Sequence, residues 1–206
     1  MSKRDRPRRP ARRTPFLTPK PVILVVTEGK VTEPSYLNGF RDWVHNPRVQ
    51  IRMVPGAGSP GSIVNEAVTR KRSAEQLARR ERDRNHAFDE VWCVFDVDEH
   101  KDMDCAEELA KQNGLSLAIS NPCFELWLLL HFREQPGMQS CQSLQTMLEE
   151  HINGYDKKVD FVKQFSERYE IALGRARLLD ENALHDGEPR RNPSTGVWRL
   201  TESIRR

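Results

Sequence analysis

Apolar and polar residues alternate along the first 120 residues in a pattern that predicts strands separated by helices. The aliphatic run PVILVV at residues 21–26 is typical of a strand buried on both faces of a parallel sheet. Three later stretches, VQIRMVP, FDEVWCVFDVD and LSLAIS, indicate a second, third and fourth strand. Residues 32–44, 62–84 and 103–113 lie between these strands and carry helical patterns. This order predicts an α/β domain with a largely parallel, four-stranded sheet flanked by helices.

The pattern changes after Ser120, where no further strand is indicated. Helices are predicted for the segment NPCFELWLLLHF and for residues 141–151, 158–184 and 194–205. We therefore expect a helical C-terminal part that packs on the core, with Trp127 among its buried residues. The predicted division of the chain is an arm at residues 1–20, an α/β core at 21–122 and a helical region at 123–206.

The arm differs from the rest of the chain in composition. Residues 1–20 carry eight Lys or Arg and one Asp, whereas the whole chain has a net charge of +3. Because the arm is also rich in Pro and poor in apolar residues, we expect it to be disordered when free. It is either a tail that binds phosphates or a solubilising leader, and the sequence leaves both interpretations open.

Three further features limit the class of protein. The longest apolar segment, FELWLLLHF, is too short for a membrane span and contains Glu125, so we expect no contact with a membrane. The N-terminus lacks the apolar centre of a secretory signal. The four cysteines, at positions 93, 105, 123 and 141, form no Cys-x-x-Cys pair. They indicate reduced thiols in a cytoplasmic protein rather than a zinc site or a disulfide framework.

Carboxylates follow three of the predicted strands. Glu28 comes after the first strand, Asp96 and Asp98 end the third, and Glu125 lies one helical turn beyond the fourth. Ligands of open parallel sheets bind beyond the carboxyl ends of the strands, so we expect these acids to meet at one edge. Asp96 and Asp98 lie on the same side of their strand and repel each other unless a cation or water compensates them. The Asp-x-Asp pair alone also fits a solvated strand end, but acids at three strand ends favour a divalent-metal site.

Four blocks of the sequence resemble known families. VVTEGKVTEPSYLNGF, VFDVDEH, SNPCFELWLLLHF and NPSTGVWRLTESI, in this order, resemble the RloB-like family, and the acids resemble those of the TOPRIM domain of topoisomerases, primases and nucleases. The resemblance implies a TOPRIM-like fold in which Glu28 is a general acid/base or a metal ligand. It also implies that Asp96 and Asp98 bind Mg²⁺ or Mn²⁺. Glu33 and Glu125 belong to the RloB-like blocks, and Glu125 is either a ligand of a second metal or a buried acid that pairs within its helix.

Other residues are weaker candidates. The chain departs from the TOPRIM nuclease pattern, since no third Asp follows the pair and only Glu99 does. His100 is either a proton carrier at the edge of the site or a solvated histidine. Lys30 either binds a phosphate or is a solvated turn residue. Arg190 and Arg191 either bring positive charge to the site, where they would bind nucleic acid, or only precede the last helix.

The resemblance implies a Mg²⁺-dependent phosphodiester hydrolase, that is, a nuclease acting on DNA or RNA. RloB-like genes often lie beside restriction or phage-defence genes, which implies an effector of bacterial anti-phage defence. The resemblance to the RloB-like family also implies a separate ATPase subunit as a partner besides nucleic acid, since this chain has no P-loop of its own. Two alternatives stay open: an enzyme of phosphoryl or nucleotidyl transfer on a small nucleotide, and a non-catalytic TOPRIM-like adaptor or regulatory subunit of a defence complex.

Overall fold

A single sheet organises the computed structural model, which describes residues 20–53, 59–97 and 103–206. Its strands are β1 (Ile23–Thr27), β2 (Val49–Met53), β3 (Glu90–Asp96), β4 (Ser116–Asn121) and β5 (Ser194–Thr195). They lie in the order β2-β1-β3-β4-β5. The first four strands are parallel, and β5 pairs antiparallel with β4. The α/β class and the largely parallel sheet are therefore confirmed, whereas the predicted arm at residues 1–20 lies outside the described residues except for Lys20.

Helices flank the sheet and fill the C-terminal part, as expected. The α-helices of the described residues are α1 (Thr32–Trp43), α2 (Pro60–Glu81), α3 (Met103–Gln112), α4 (Glu125–Leu129), α5 (Cys141–Glu149), α6 (Phe161–Gln164), α7 (Tyr169–His185) and α8 (Val197–Arg205). Short 3-10 turns cover Arg84–His86 and Ser166–Arg168. The prediction of one continuous helix at 158–184 is therefore wrong, because α6, a 3-10 turn and α7 occupy this range. The interruption between α6 and α7 accompanies the burial of both Phe161 and Phe165 in the core.

The predicted number of four strands is wrong, because β5 adds a fifth at one edge of the sheet. This strand has only two residues, so it is too short to show an alternating pattern in the sequence. It is held by side chains as well as backbone: the hydroxyl oxygens of Ser120 and Thr195 lie 2.9 Å apart. Gly196 N donates to the carbonyl oxygen of Ile119 at 2.8 Å. The last helix consequently begins at Val197 instead of residue 194.

The two faces of the sheet bury two separate hydrophobic clusters. Along β1, Ile23 and Val25 join the cluster that contains residues of α1, α4, α7 and α8. Leu24 and Val26 join the other cluster, with residues of α2 and α3. This alternation makes β1 apolar throughout, because both of its faces are covered. Trp127 is fully buried in the first cluster, as predicted, so the helical C-terminal region shares its core with α1.

A buried polar network joins α1 to the segment that follows α4. Tyr36 Oη lies 3.1 Å from His131 Nε2, and His131 Nδ1 lies 3.0 Å from the carbonyl oxygen of Trp127. Because a carbonyl only accepts, Nδ1 carries the hydrogen, and Nε2 accepts from the tyrosine hydroxyl. Burial lowers the pKa of His131 to about 3, so the ring is neutral at physiological pH. The network fixes the relative position of the two helices that carry Glu33 and Glu125.

Candidate active site

A cavity of about 510 Å³ lies at the carboxyl ends of β1 and β3, where the sequence predicts a site. We call it the carboxylate pocket. Its walls come from the turn after β1, the start of α1, the segment that leads into α4, and α5. Four acids and two lysines are among its lining residues: Glu28, Glu33, Asp96, Glu125, Lys30 and Lys157. The structure therefore brings together acids from three strand ends, which the topology of a parallel sheet predicts.

Glu28 and Asp96 are placed by neighbouring strands. Glu28 follows β1 directly, and its backbone N donates to the carbonyl oxygen of Val94 on β3 at 3.0 Å. Asp96 is the last residue of β3, and its backbone N lies 3.5 Å from Glu28 Oε2, to which it donates. The side chain of Glu28 therefore reaches across to the end of β3. This contact places the Glu28 carboxylate at the backbone of Asp96, and both residues line the pocket.

Glu33 enters the pocket from the first turn of α1. It is buried, with 6% of its surface exposed, and its Oε1 accepts from Gly29 N at 3.1 Å. A Cβ atom at position 29 would overlap this carboxylate, so the close approach requires glycine. Burial raises the pKa of Glu33, and hydrogen bonds from backbone N–H groups oppose the shift. The carboxylate is thus held in a fixed position at the cost of desolvation.

Glu125 is held by residues that the sequence analysis missed. Its Oε1 accepts from Tyr155 Oη at 3.2 Å and from Gln145 Nε2 at 3.3 Å. Tyr155 lies in the loop after α5, and burial together with the charge of Glu125 raises its pKa. Gln145 lies on α5 and lines the pocket. Neither residue belongs to a recognisable motif, and both are distant from Glu125 in the sequence, so no local signal could have revealed them.

Asp96 experiences the combined field of the other acids. Its pKa is raised well above the ordinary value, first because the side chain is buried and then because Glu33, Glu125 and Glu28 are negatively charged. A carboxylate in this position stays ionised only if positive charge compensates it, and otherwise takes up a proton. The pocket is therefore an electrostatic environment that favours a cation.

The donor chemistry of the pocket fits a hard divalent cation, since carboxylate oxygens are the ligands that Mg²⁺ and Mn²⁺ prefer. In the described ranges, however, no three His, Cys, Asp or Glu side chains are grouped closely enough to hold a metal ion. Asp98, Glu99 and His100, which the sequence analysis names as candidates, lie outside the described residues. A ligand set formed by the described residues alone would require their carboxylates to move closer together.

The predicted basic residues are divided between two regions. Lys30 lines the carboxylate pocket and is exposed. Arg190 lines a second cavity of about 310 Å³, which we call the arginine pocket, together with Arg199, Glu107 and Asp180. There Arg190 forms ion pairs with Glu107 at 3.0 Å and Asp104 at 3.6 Å. The structure does not bring Arg190 to the carboxylate pocket.

Arg191 is also engaged elsewhere, because it forms an ion pair with Asp186. Lys157, which the sequence analysis did not single out, takes its place as a basic residue of the carboxylate pocket. A sequence shows where basic residues occur but not which acids they contact in the fold. The sequence therefore could not show that Lys157, and not Arg190 or Arg191, lines this pocket.

Two cysteines also line the carboxylate pocket. Cys123 is buried and Cys141 is partly exposed, and neither forms a disulfide. A hydrogen bond with Cys141, together with burial, raises the pKa of Cys123. Cys93 is buried in β3, and burial raises its pKa to about 12. The structure therefore buries both Cys93 and Cys123.

Within the described ranges, every helix is too short or too polar to cross a lipid bilayer.

No curated protein and no solved structure shows significant similarity to the chain. A family model described as RloB-like protein matches residues 23–204, which include every strand and helix named above except the last residue of α8. The match covers well over half of the sequence and contains all four blocks on which the resemblance rests. The chain therefore belongs to the RloB-like family.

Proposed function

We propose that this protein is a metal-dependent phosphodiester hydrolase that acts on DNA or RNA. One observation carries the proposal: the partly buried Asp96 lies at the end of a parallel strand, and Glu28, Glu33 and Glu125 line the same pocket and raise its pKa. Four acids that share one cavity destabilise the folded protein unless a cation is bound there. Strongly perturbed carboxyl groups in a cleft are typical of functional sites.

The roles of the acids follow from their positions. Glu28, Asp96 and Asp98 would hold Mg²⁺ or Mn²⁺, which when bound activates water and neutralises charge on a phosphodiester. Glu125 would complete a second ion site, because its carboxylate lies in the same pocket and Oε2 is not engaged by Tyr155 or Gln145. Glu33 is oriented by Gly29 N and adds negative charge that favours the cation. Lys30 would bind a phosphate of the substrate.

A second candidate is phosphoryl or nucleotidyl transfer on a small nucleotide. The size of the carboxylate pocket favours it, since about 510 Å³ lies within the range of cavities that enclose small ligands. The same acids would serve both reactions. In either case the family membership supports a role as an effector of anti-phage defence, with a separate ATPase subunit as a partner of this chain.

A cleavage assay with matched variants tests the proposal. The purified protein is incubated with single-stranded DNA, duplex DNA and RNA, each with Mg²⁺, with Mn²⁺ and with a chelator. We expect cleavage of at least one substrate that requires metal, is lost in Glu28→Gln and is retained in Glu107→Gln, which alters an acid of the arginine pocket. Cleavage by Glu28→Gln at the wild-type rate would show that the activity comes from elsewhere. Absence of cleavage under all conditions would favour the adaptor alternative.

A further inference from the structure

Lys157 has an unusual combination of backbone conformation and surroundings. It lies in the loop between α5 and α6, its φ is 71°, and its side chain is exposed while lining the carboxylate pocket. A lysine rarely adopts a positive φ, because its Cβ atom then crowds the backbone. Asp156 stabilises the turn, since its Oδ1 accepts from Lys158 N at 3.1 Å. The conformation that directs Lys157 at the pocket is therefore built into the loop.

Lys157 differs from the other non-glycine residues with positive φ in the described ranges, because it lies within a loop whose turn Asp156 stabilises. Arg82 is the C-cap of α2, and His45 follows the C-cap of α1, where left-handed residues are common. Arg190 has two acidic partners on α3 that hold its side chain. Lys157 follows no helix directly, since α5 ends at Glu149. Residues that the surrounding structure holds in such a conformation cluster at active sites and at sites that clamp a ligand.

The charge of Lys157 is also not neutralised within the part of the chain that the structure describes. No ion pair joins it to any described acid, although four acids line the same pocket. Lys30, from the turn after β1, also lines this pocket and forms no ion pair with a described acid. Two lysines from segments far apart in the sequence thus line one acidic cavity, and neither forms an ion pair with an acid among the described residues. A ligand with negative charges that the bound cation does not neutralise would contact both lysines.

We propose that Lys157 is a phosphate-binding residue of the carboxylate pocket, and that with Lys30 it holds a polynucleotide strand across the acids. The proposal rests on the hydrolase function proposed above and adds residues that hold its substrate. A strand offers a phosphate on each side of the one that reacts, so two separate lysines each have a partner. Lys157 contacts a neighbouring phosphate and therefore contributes to affinity in every sequence context.

Binding measurements with two adjacent lysines test this role. Lys157→Gly removes the charge and suits the positive φ, whereas Lys158→Gly removes an exposed charge that does not line the pocket. Labelled single-stranded DNA and RNA oligonucleotides are titrated at several salt concentrations, with Ca²⁺ replacing Mg²⁺ to prevent turnover. We expect Lys157→Gly to weaken binding about fivefold near 0.1 M salt and to lower the salt slope by about 0.7. Lys158→Gly should match the wild type.

Two further readouts separate charge from loop structure. The melting midpoint of Lys157→Gly should be unchanged or about 1–3 °C higher, because the strain of the left-handed lysine is relieved. Lys157→Asn, which also tolerates this conformation but stays polar and less flexible than glycine, should lose the same salt slope. Equal slopes in the wild type and both Lys157 variants would overturn the role of Lys157 alone. Equal losses in the Lys157 and Lys158 variants would show non-specific attraction and also overturn it.

The proposed hydrolase function fails in a different way. A wild-type protein that binds neither oligonucleotide, and cleaves none with Mg²⁺ or Mn²⁺, would overturn both proposals together. A wild-type protein that cleaves a polynucleotide, while Lys157→Gly cleaves it with the same affinity, leaves the hydrolase and removes only the lysine contact.

Discussion

The carboxylate pocket and the arginine pocket contain similar charged side chains but pair them differently. In the arginine pocket, Arg199 forms an ion pair with Asp180 at 2.6 Å, and Arg190 pairs with Glu107 at 3.0 Å. Asp180 also accepts from Trp198 Nε1 at 2.5 Å. In the carboxylate pocket, the lysines form no ion pair with a described acid, and the acids repel one another.

This difference in pairing distinguishes charged residues that stabilise the fold from charged residues whose opposite charge would come from a ligand. An acid that is hydrogen-bonded and paired inside the protein contributes to stability, and its removal leaves a buried partner unsatisfied. A buried acid surrounded by other acids instead lowers stability, and such an arrangement is typical of a site whose ligand supplies the opposite charge. Aspartates 96 and 180 therefore form a matched pair for experiments, since both are largely buried acids with opposite surroundings.

The largest expected effect is on catalysis. Asp96→Asn should reduce the metal-dependent cleavage proposed above by at least about 100-fold, because a ligand of the cation is lost. Asp180→Asn should retain the wild-type rate at temperatures where it is folded. Initial rates with a common labelled substrate measure both. Equal losses in the two variants would mean that general destabilisation, and not the position in the carboxylate pocket, controls activity.

The next largest effect is on stability, where Asp180→Asn should lose more than Asp96→Asn. Asp180→Asn loses the charged acceptor of Arg199 and Trp198, so we expect the free energy of unfolding to fall by roughly 1–3 kcal/mol. Since Arg199 is partly exposed, the lower half of this range is expected. Asp96→Asn should be as stable as the wild type or more stable in a chelator. Denaturant titrations at pH 7 compare the variants, and a loss for Asp96→Asn equal to that for Asp180→Asn would contradict the comparison.

A smaller effect concerns pH. In the folded protein the pKa of Asp96 lies well above its ordinary value of 3.8, so the folded state keeps a proton that the unfolded chain releases. As pH rises from about 4 through the folded pKa, this carboxyl group therefore lowers the free energy of unfolding. Asp96→Asn removes that contribution, and its advantage over the wild type should grow with pH in chelator. Melting curves between about pH 4 and pH 7 measure the difference, and a constant difference would show that Asp96 is not perturbed.

The smallest effect concerns thiol access. Cys105 is exposed, so it should react quickly with a thiol reagent in the native protein. Cys93 and Cys123 should react only on unfolding, since they are buried and their raised pKa values disfavour the reactive thiolate. Mass spectrometry after brief labelling identifies the modified residues. Rapid labelling of Cys123 in the native state would show that the carboxylate pocket is more open than the structure indicates.

The sequence predicts the sheet and the acids at its edge because these depend on local patterns. Aliphatic runs mark the buried strands, and a parallel sheet brings the carboxyl ends of its strands together, so Glu28, Asp96 and Glu125 meet in one pocket as expected. The sequence analysis misses strand β5 because a strand of two residues is too short to show an alternating pattern of apolar and polar residues.

The residues that complete the pocket are missed for a different reason. Gln145, Tyr155 and Lys157 approach the acids only through the packing of the helical C-terminal region on the core, which no spacing in the sequence encodes. Arg190 and Arg191 illustrate the converse, because a basic motif near a predicted site is paired with acids elsewhere. Sequence patterns thus predict which residue types reach an edge of the sheet, and tertiary packing decides their partners.

The most direct measurement is a set of four melting curves, for the wild type and Asp96→Asn, each with a chelator and with Mn²⁺. If the carboxylate pocket binds a cation, Mn²⁺ at a hundredfold excess over its dissociation constant should stabilise the wild type by about 2.7 kcal/mol. For a chain of this length, that corresponds to a rise in the melting midpoint of roughly 5–10 °C. Asp96→Asn should start at the same or a higher midpoint in chelator and should show little or no response to Mn²⁺. An equal response of the two proteins, or no response of the wild type, would contradict the account.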